Sequence, residues 1–380
     1  MLPTSIRERG LKPSLAGSPQ VRSGQWPSEP GPRELVCLVL LTAVVFVFPI
    51  AVSRSYFSQV DNFGDNSAYM SVASAIRHWN FAGLQVEQFW GYPYVIAVVS
   101  LVFHVSERSA LLFVSFVSSF LAVFLAQRLW GGWVAGFFAV INFDWMQRSF
   151  LGGSEPLFVA LLFGAFLAAR KERWIIATAL AACATTVRPL GIIALFSIGL
   201  ALLWRRNLFK LCIATMIGLA VGTLYVLPLT LYFGSPLANV HAYNPHNAIF
   251  GIPFHAIIKG TILYSTPWTN LLLTSGWILF VFAGNVAMFT NANYRAYASK
   301  FPVEAMFAVL YLLAVYCYNY PFWARGTFAR FVIPALPFVL AALLRWLPKD
   351  RRVLWPLALL FSLLAAASTL GIRNVFHRLY

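Results

Sequence analysis

Residues 209–232 read FKLCIATMIGLAVGTLYVLPLTLY, and Lys210 is the only charge among them. A helix needs about 20 apolar residues to cross a hydrocarbon core roughly 30 Å thick. This stretch meets that length. Similar apolar runs lie on either side, at 35–53, 109–127, 131–147, 155–170, 173–187, 190–204, 267–289, 303–320, 327–346 and 353–372. Composition agrees with them: 60% of the 380 residues are hydrophobic and 11% are charged. A soluble protein carries about 25% charged residues and 45–50% apolar ones. A soluble enzyme, a secreted domain and a DNA-binding module are therefore excluded, and no nucleic-acid partner is expected. The expected fold is all-α, a polytopic bundle embedded in a lipid bilayer.

The charge is lopsided, with 28 Lys+Arg against 12 Asp+Glu. Cytoplasmic loops of membrane proteins retain positive charge, and this bias decides how the remaining apolar stretch, 92–105, is read. If 92–105 does not cross, the Arg-Lys-Glu-Arg turn at 170–173, the Arg205/Arg206/Lys210 turn and the Arg345/Lys349/Arg351/Arg352 turn share the cytoplasmic side with the N-terminal tail. Arg128, Arg295 and Lys300 join them, which places 18 Lys+Arg inside and 10 outside, of the 28 in the chain. Crossing would move every later basic turn outside. Residues 92–105 are accordingly read as an interfacial or re-entrant helix, which leaves about 11 spans with the N-terminus cytoplasmic. Residues 1–34, rich in Pro, Ser, Gly and Arg, read as a disordered basic tail. The run at 35–53 starts too late for an ordinary signal peptide and is long enough to anchor. Cys37, Cys183, Cys212 and Cys317 sit singly in apolar runs, a pattern that suits neither a zinc site nor a disulfide framework. Residues 173–187 and 190–204 are short for spans and read as a hairpin with Arg188 at its tip, held below the outer surface. An arginine at such a depth is expensive unless it has a partner or a role.

On this topology two outer loops are long, 54–108 and 233–266, and long ordered loops more often carry function. In the first, Ala68, Tyr69, Val72, Ala73, Ile76 and Trp79 recur at helical spacing, which predicts an interfacial amphipathic helix. Gly64-Asp65-Asn66 stands at its start. Asp65 reads either as the helix N-cap or as a carboxylate placed to accept a proton from an acceptor hydroxyl; both can hold for one residue. Asp61 is the reserve acid, and Tyr69 reads as an interface anchor beside them. Glu155, in Gly152-Gly153-Ser154-Glu155-Pro156, is a first-turn acid at a helix start and a candidate second carboxylate on the same side. Asp144 either faces the same cavity or pairs with Arg148 four residues on. Arg188, Lys259, Arg325 and Arg330 are predicted near the outer boundary. Each reads singly as a snorkelling side chain and jointly as a phosphate site, for which the planar guanidinium fork is suited. His241, His246 and His255 match no local metal motif, and His241 is counted with Tyr69, Tyr92 and Asp144 as lining the cavity. No metal ligand set is read.

The layout resembles the GT-C superfamily of polytopic glycosyltransferases, which includes the protein O-mannosyltransferases and the lipid A aminoarabinose transferase. The likeness rests on Gly-Asp-Asn-Ser-Ala-Tyr at 64–69, Phe-Trp-Gly-Tyr-Pro-Tyr at 89–94, Ser-Glu-Pro-Leu-Phe at 154–158, Val-Arg-Pro-Leu-Gly at 187–191 and Ala-Arg-Phe-Val-Ile-Pro-Ala-Leu-Pro at 329–337. It implies a mannosyl- or hexosyltransferase-like enzyme that uses a polyprenyl-phosphate-linked sugar and acts on a glycan, lipid or protein hydroxyl outside a bacterial inner membrane. Residues 35–266 would form the catalytic module and 267–380 the C-terminal helices. Asp65 would be the acceptor-orienting base, and Arg188 or Arg330 a donor-phosphate ligand. The family often has a second acid beside the first, where this chain has Asn66, so Asp61 is a second candidate for the role. A phosphate is already a competent leaving group, so no cofactor and no divalent metal are expected. A polytopic transporter or a lipid-linked-glycan flippase is the competing reading. The former would place ionisable residues near the bilayer midplane on broken helices.

Overall fold

A computed structural model describes residues 60–81, 84, 87–243, 250–264, 268–290, 292–319, 327–344, 350, 352–360 and 363. The expected tail 1–34, the expected span 35–53, His246, Arg325 and residues 364–372 of the expected last span lie outside them. Among the described residues the chain is helical, with no strand and one isolated bridge between Phe250 and Tyr318.

The first outer loop folds back on itself before the long helices begin. Helix α1 (Asn66–His78) and helix α2 (Gly91–Phe103) run side by side, Tyr69 against Tyr92 at one end and Arg77 bonded to Ser100 at the other. At 13 residues α2 rises about 20 Å, less than a hydrocarbon core. It starts against another part of the chain: a Cβ on Gly91 would stand 2.4 Å from Thr186 Oγ1 and 2.6 Å from the Val187 nitrogen. Only a glycine allows that approach, and it seats the loop beside Arg188.

Helix α3 (Glu107–Trp130) begins where the Ser106 hydroxyl accepts the Ser109 N–H at 3.3 Å. The stretch 131–147, expected as one span, is two helices, α4 (Gly132–Ile141) and α5 (Phe143–Leu151). The physical cause is Asn142, whose side chain accepts the Trp145 N–H at 3.0 Å and donates to the Ala329 carbonyl at 2.8 Å. A side chain that caps a new helix within an apolar run ends the old one. Helix α6 (Glu155–Arg170) turns away from α5 by 107°. The bend is at Gly152, whose φ of 98° is the left-handed backbone that glycine tolerates.

Helices α7 (Trp174–Val187) and α8 (Ile192–Trp204) form a hairpin, with Arg188-Pro189-Leu190-Gly191 as the turn. Their far ends meet, since Arg205 bonds Glu172 at 2.9 Å and lies 5.4 Å over the Trp174 ring. Helix α9 (Leu208–Phe233) follows, then α10 (Ala238–Tyr243), α11 (His255–Tyr264), α12 (Trp268–Thr290), α13 (Ala292–Lys300), α14 (Pro302–Cys317), α15 (Phe328–Phe331) and α16 (Leu336–Leu343). The core is built on α6, whose Phe158, Phe163 and Phe166 are fully buried, Phe163 against Trp130 and Phe138 and Phe166 against Phe307 and Phe338.

Around that core the exterior is apolar. In α9 only Ala214 and Leu229 are buried, while Met216, Leu219, Leu224 and Leu231 face outward. Helix α3 likewise turns Phe113, Phe116, Phe120 and Phe124 outward. Water would penalise such a surface by about 25 cal/mol for each Å², and lipid does not. Helices α3, α9 and the 271–289 part of α12 are long and apolar enough to cross a bilayer, and the bent α5–α6 pair qualifies jointly. The protein is an integral membrane protein.

The two ends of α6 are both charged. At its C-terminus Arg170 bonds Glu304 at 2.5 and 2.8 Å, donates to the Leu129 carbonyl at 2.7 Å and lies 3.9 Å over the Phe301 ring. The basic turns at 170–173 and 205–210, together with Arg128 and Lys300, share that end of the bundle. The opposite end, about 24 Å away along α6, carries the other cluster.

Candidate active site

Glu155 is the centre of that cluster. The α5–α6 elbow places its carboxylate, 2% exposed, against arginines from three other segments. Arg148, one helix back on α5, brings Nε to 3.3 Å from Oε1. Arg188 reaches the same oxygen from the α7–α8 turn, and Arg330 donates its Nε to it from α15. Gly153 leaves the room: a Cβ there would stand 2.9 Å from Glu155 Oε2 and 3.1 Å from the Arg148 side chain.

Two of the arginines are braced from behind by an aromatic face. Arg148 lies 5.2 Å over Phe63, and Arg188 lies 5.7 Å over Phe331, contacts that hold a guanidinium plane in place. Three guanidiniums carry roughly fifteen N–H donors, and one carboxylate cannot accept them all. Arg148 Nε and Arg188 NH1 meet Glu155 Oε1 as ion contacts without hydrogen-bond geometry, and Glu155 Oε2 likewise has no hydrogen-bond partner among the described residues. Buried donors of that kind ordinarily have partners. The arrangement is thus a cationic cradle whose hydrogen-bonding capacity exceeds its built-in anion, and a phosphate's oxygens suit it.

Asp65 stands at the rim. It occupies the N-cap position of α1 but makes no side-chain capping bond. Its Oδ2 is instead 3.5 Å from Arg330 NH2, and its side chain is 44% exposed. The backbone beside it is pinned, because the Asn66 amide donates to the Val60 carbonyl at 2.8 Å and the Leu151 carbonyl at 2.7 Å. One turn on, Tyr69 donates its hydroxyl to Ser154 Oγ at 3.2 Å. Burial first, then the nearby Asp65 and Glu155 charges, push the Tyr69 phenol up to about 12. It stays protonated at neutral pH and serves as a donor that ties α1 to the elbow.

Asp65, Glu155, Arg188 and Arg330 are therefore together, with Tyr69 beneath them. Asp144, on α5, is within electrostatic reach of Arg148, Arg330 and Glu155. Tyr92 is a buried support: its ring lies 5.1 Å from that of Tyr69, and its hydroxyl bonds Ser115 Oγ at 2.6 Å. Asp61 is engaged elsewhere, by Arg108 Nε at 2.7 Å. Lys259, half-buried on α11, and His241, exposed on α10, make no ion pair with the cluster among the described residues. His255 Nδ1 is 3.4 Å from Asn319 Oδ1. Among the described residues no three His, Cys, Asp or Glu side chains gather as a metal site.

Sequence reasoning placed Arg148 only as a partner of Asp144, and so missed the third arginine. The available signal was an arginine in an apolar helix, seven residues ahead of Glu155. Tyr311, whose hydroxyl donates to the Phe331 carbonyl at 2.9 Å, also passed unnoticed, and it backs the segment that carries Arg330.

The fold and site define a helical membrane protein with an arginine cradle and a rim carboxylate at one end of its bundle. No family model and no curated protein match the chain. Two crystal structures of ArnT from Cupriavidus metallidurans are similar to it. The one bound to undecaprenyl phosphate matches at 14% identity and a TM-score of 0.49, over 82% of this chain and 59% of that one. The apo structure matches at 15% identity and a TM-score of 0.43, over 81% and 59%. The chain spans about three fifths of the length of these structures.

Proposed function

We propose that this protein is a glycosyltransferase of the GT-C kind, which transfers a sugar from a polyprenyl-phosphate donor to an acceptor hydroxyl. The observation that carries the reading is the convergence of Arg148, Arg188 and Arg330 on Glu155, with Asp65 at the rim beside Arg330. Four of the segments that resemble the family, at 64–69, 154–158, 187–191 and 329–337, supply every member of that cluster except Arg148, although they are far apart in the chain.

The chemistry is a displacement at the anomeric carbon. The acceptor oxygen forms the new bond to that carbon while the bond to the phosphate oxygen breaks. The leaving phosphate keeps the electron pair, and the guanidiniums stabilise its growing charge. The acceptor's proton passes to Asp65. Because the phosphate leaves readily, the reaction calls for no general acid and no divalent metal. A mannosyl or other hexosyl group fits this scheme equally well.

Arg188→Ala tests the phosphate side. With purified protein, a polyprenyl-phosphate sugar and a soluble acceptor, the donor KM is expected to rise at least tenfold, as for loss of a charge-assisted contact of about 1.5–3 kcal/mol, while the acceptor KM holds. A selective acceptor defect would contradict the assignment. A flippase would instead bind the donor and release no glycosylated product.

The reaction is placed on the non-cytoplasmic side of a bacterial inner membrane. The basic turns that share the Arg170 end of the bundle support the orientation, since positive charge is retained inside. A cysteine introduced at Lys171 is expected to resist an impermeant thiol reagent added to intact cells. Ready labelling there would reverse the orientation.

A further inference from the structure

Arg330 alone, among the described residues, is in ion contact with both carboxylates of the cluster. Its Nε donates to Glu155, and its NH2 is 3.5 Å from Asp65. The two contacts differ in surroundings. Glu155 is 2% exposed and Asp65 is 44% exposed. Water weakens an exposed pair far more than a buried one, so the Asp65 contact is the one that gives way. Asp65 itself has little freedom to leave, because Asn66 and Tyr69 hold the backbone on its C-terminal side. Arg330 reaches it through a long side chain from a four-residue helix.

An anion that enters this site therefore finds Arg330 already in use. A phosphate presents more charge and more acceptor oxygens than one half-exposed carboxylate, and it suits the guanidinium fork. We propose that Arg330 couples the two substrates: in the ligand-free protein it holds the Asp65 carboxylate, and the donor phosphate draws it away. Asp65 then turns to an acceptor hydroxyl only after the donor is seated. Arg330 is in this sense a positioning residue as well as a phosphate ligand, and the donor binds before the acceptor. The proposal rests on the phosphate reading of the cluster given above.

Its distinctive consequence is that Asp65 competes with the donor phosphate. Removing the charge at the proposed base should tighten binding of the phosphate. The experiment measures the affinity of the full-length protein in detergent for farnesyl phosphate, with farnesol as the chain-only control. Four forms are compared: the natural chain, Asp65→Asn, Arg330→Gln and the double variant, each checked for folding by thermal unfolding. Asp65→Asn is expected to bind farnesyl phosphate roughly two- to fivefold more tightly, the range for opening a half-exposed ion pair. The gain should vanish when Arg330 is Gln. Where Arg330→Gln does not fold, Arg330→Lys replaces it, and the gain should shrink because Lys lacks the fork.

Unchanged or weaker binding by Asp65→Asn overturns the coupling. An equal gain in the Arg330 variant also overturns it, since that outcome reflects only the loss of a nearby negative charge. A natural chain that binds farnesyl phosphate no better than farnesol defeats the phosphate reading itself, and the coupling with it.

Discussion

Asp65→Asn is expected to cut sugar transfer by about a hundredfold or more in a protein that remains folded. General-base catalysis contributes about 10²–10⁴ in rate, and that is the expected drop in kcat. Asn occupies nearly the same volume and is equally suited to an N-cap position. The Asp65 side chain makes no capping bond and is 44% exposed, so little stability depends on it. The donor KM should hold or fall, because the change frees Arg330 rather than removing it. The measurement is initial rate at saturating donor, paired with thermal unfolding of the same preparation. Turnover within a few-fold of the natural chain would remove Asp65 from the proton-accepting role and leave Asp61 as the second candidate for it.

Glu155→Ala has the largest expected effect on stability. It leaves Arg148, Arg188 and Arg330 facing one another at low exposure with their shared counter-ion gone. Removing one partner of a buried pair typically costs about 3–5 kcal/mol, because the remaining charge is uncompensated. A clear fall in the thermal unfolding midpoint in detergent is the expected result. Farnesyl phosphate should restore part of the loss, since an anion that binds only the folded cradle stabilises it by mass action. A variant as stable as the natural chain would mean that the arginines do not depend on Glu155. Destabilisation without any response to the phosphate would assign Glu155 a purely structural role.

Some of this was open to reading in the chain. The amphipathic spacing from Ala68 to Trp79 marks the interfacial helix, because periodicity is a local property. Pro189 and Gly191 around Arg188 mark the hairpin tip for the same reason. Asn142 was harder. It lies in an apolar run that reads as one span, and its capping of Trp145 becomes decisive only with the Ala329 carbonyl, 187 residues away, to take its amide. For Arg148 the chain offers only Asp144, four residues off, as a neighbour, and that reading does not reveal its place in the cluster. The elbow at Gly152 brings Glu155 to within 3.3 Å as well.

What the sequence determined by itself was the solvent this protein folds in, since burying 60% hydrophobic residues against so few charges requires lipid, together with the helices that local periodicity dictates. Tertiary structure alone decided which carboxylate holds the arginines and which stands at the rim. Glu155 and Asp65 carry the same kind of group, and the bend at Gly152 and the pinning of Asn66 make one a buried counter-ion and the other half-exposed to solvent. Burial and distance between residues remote in the chain depend on packing, and no spacing along the chain encodes them.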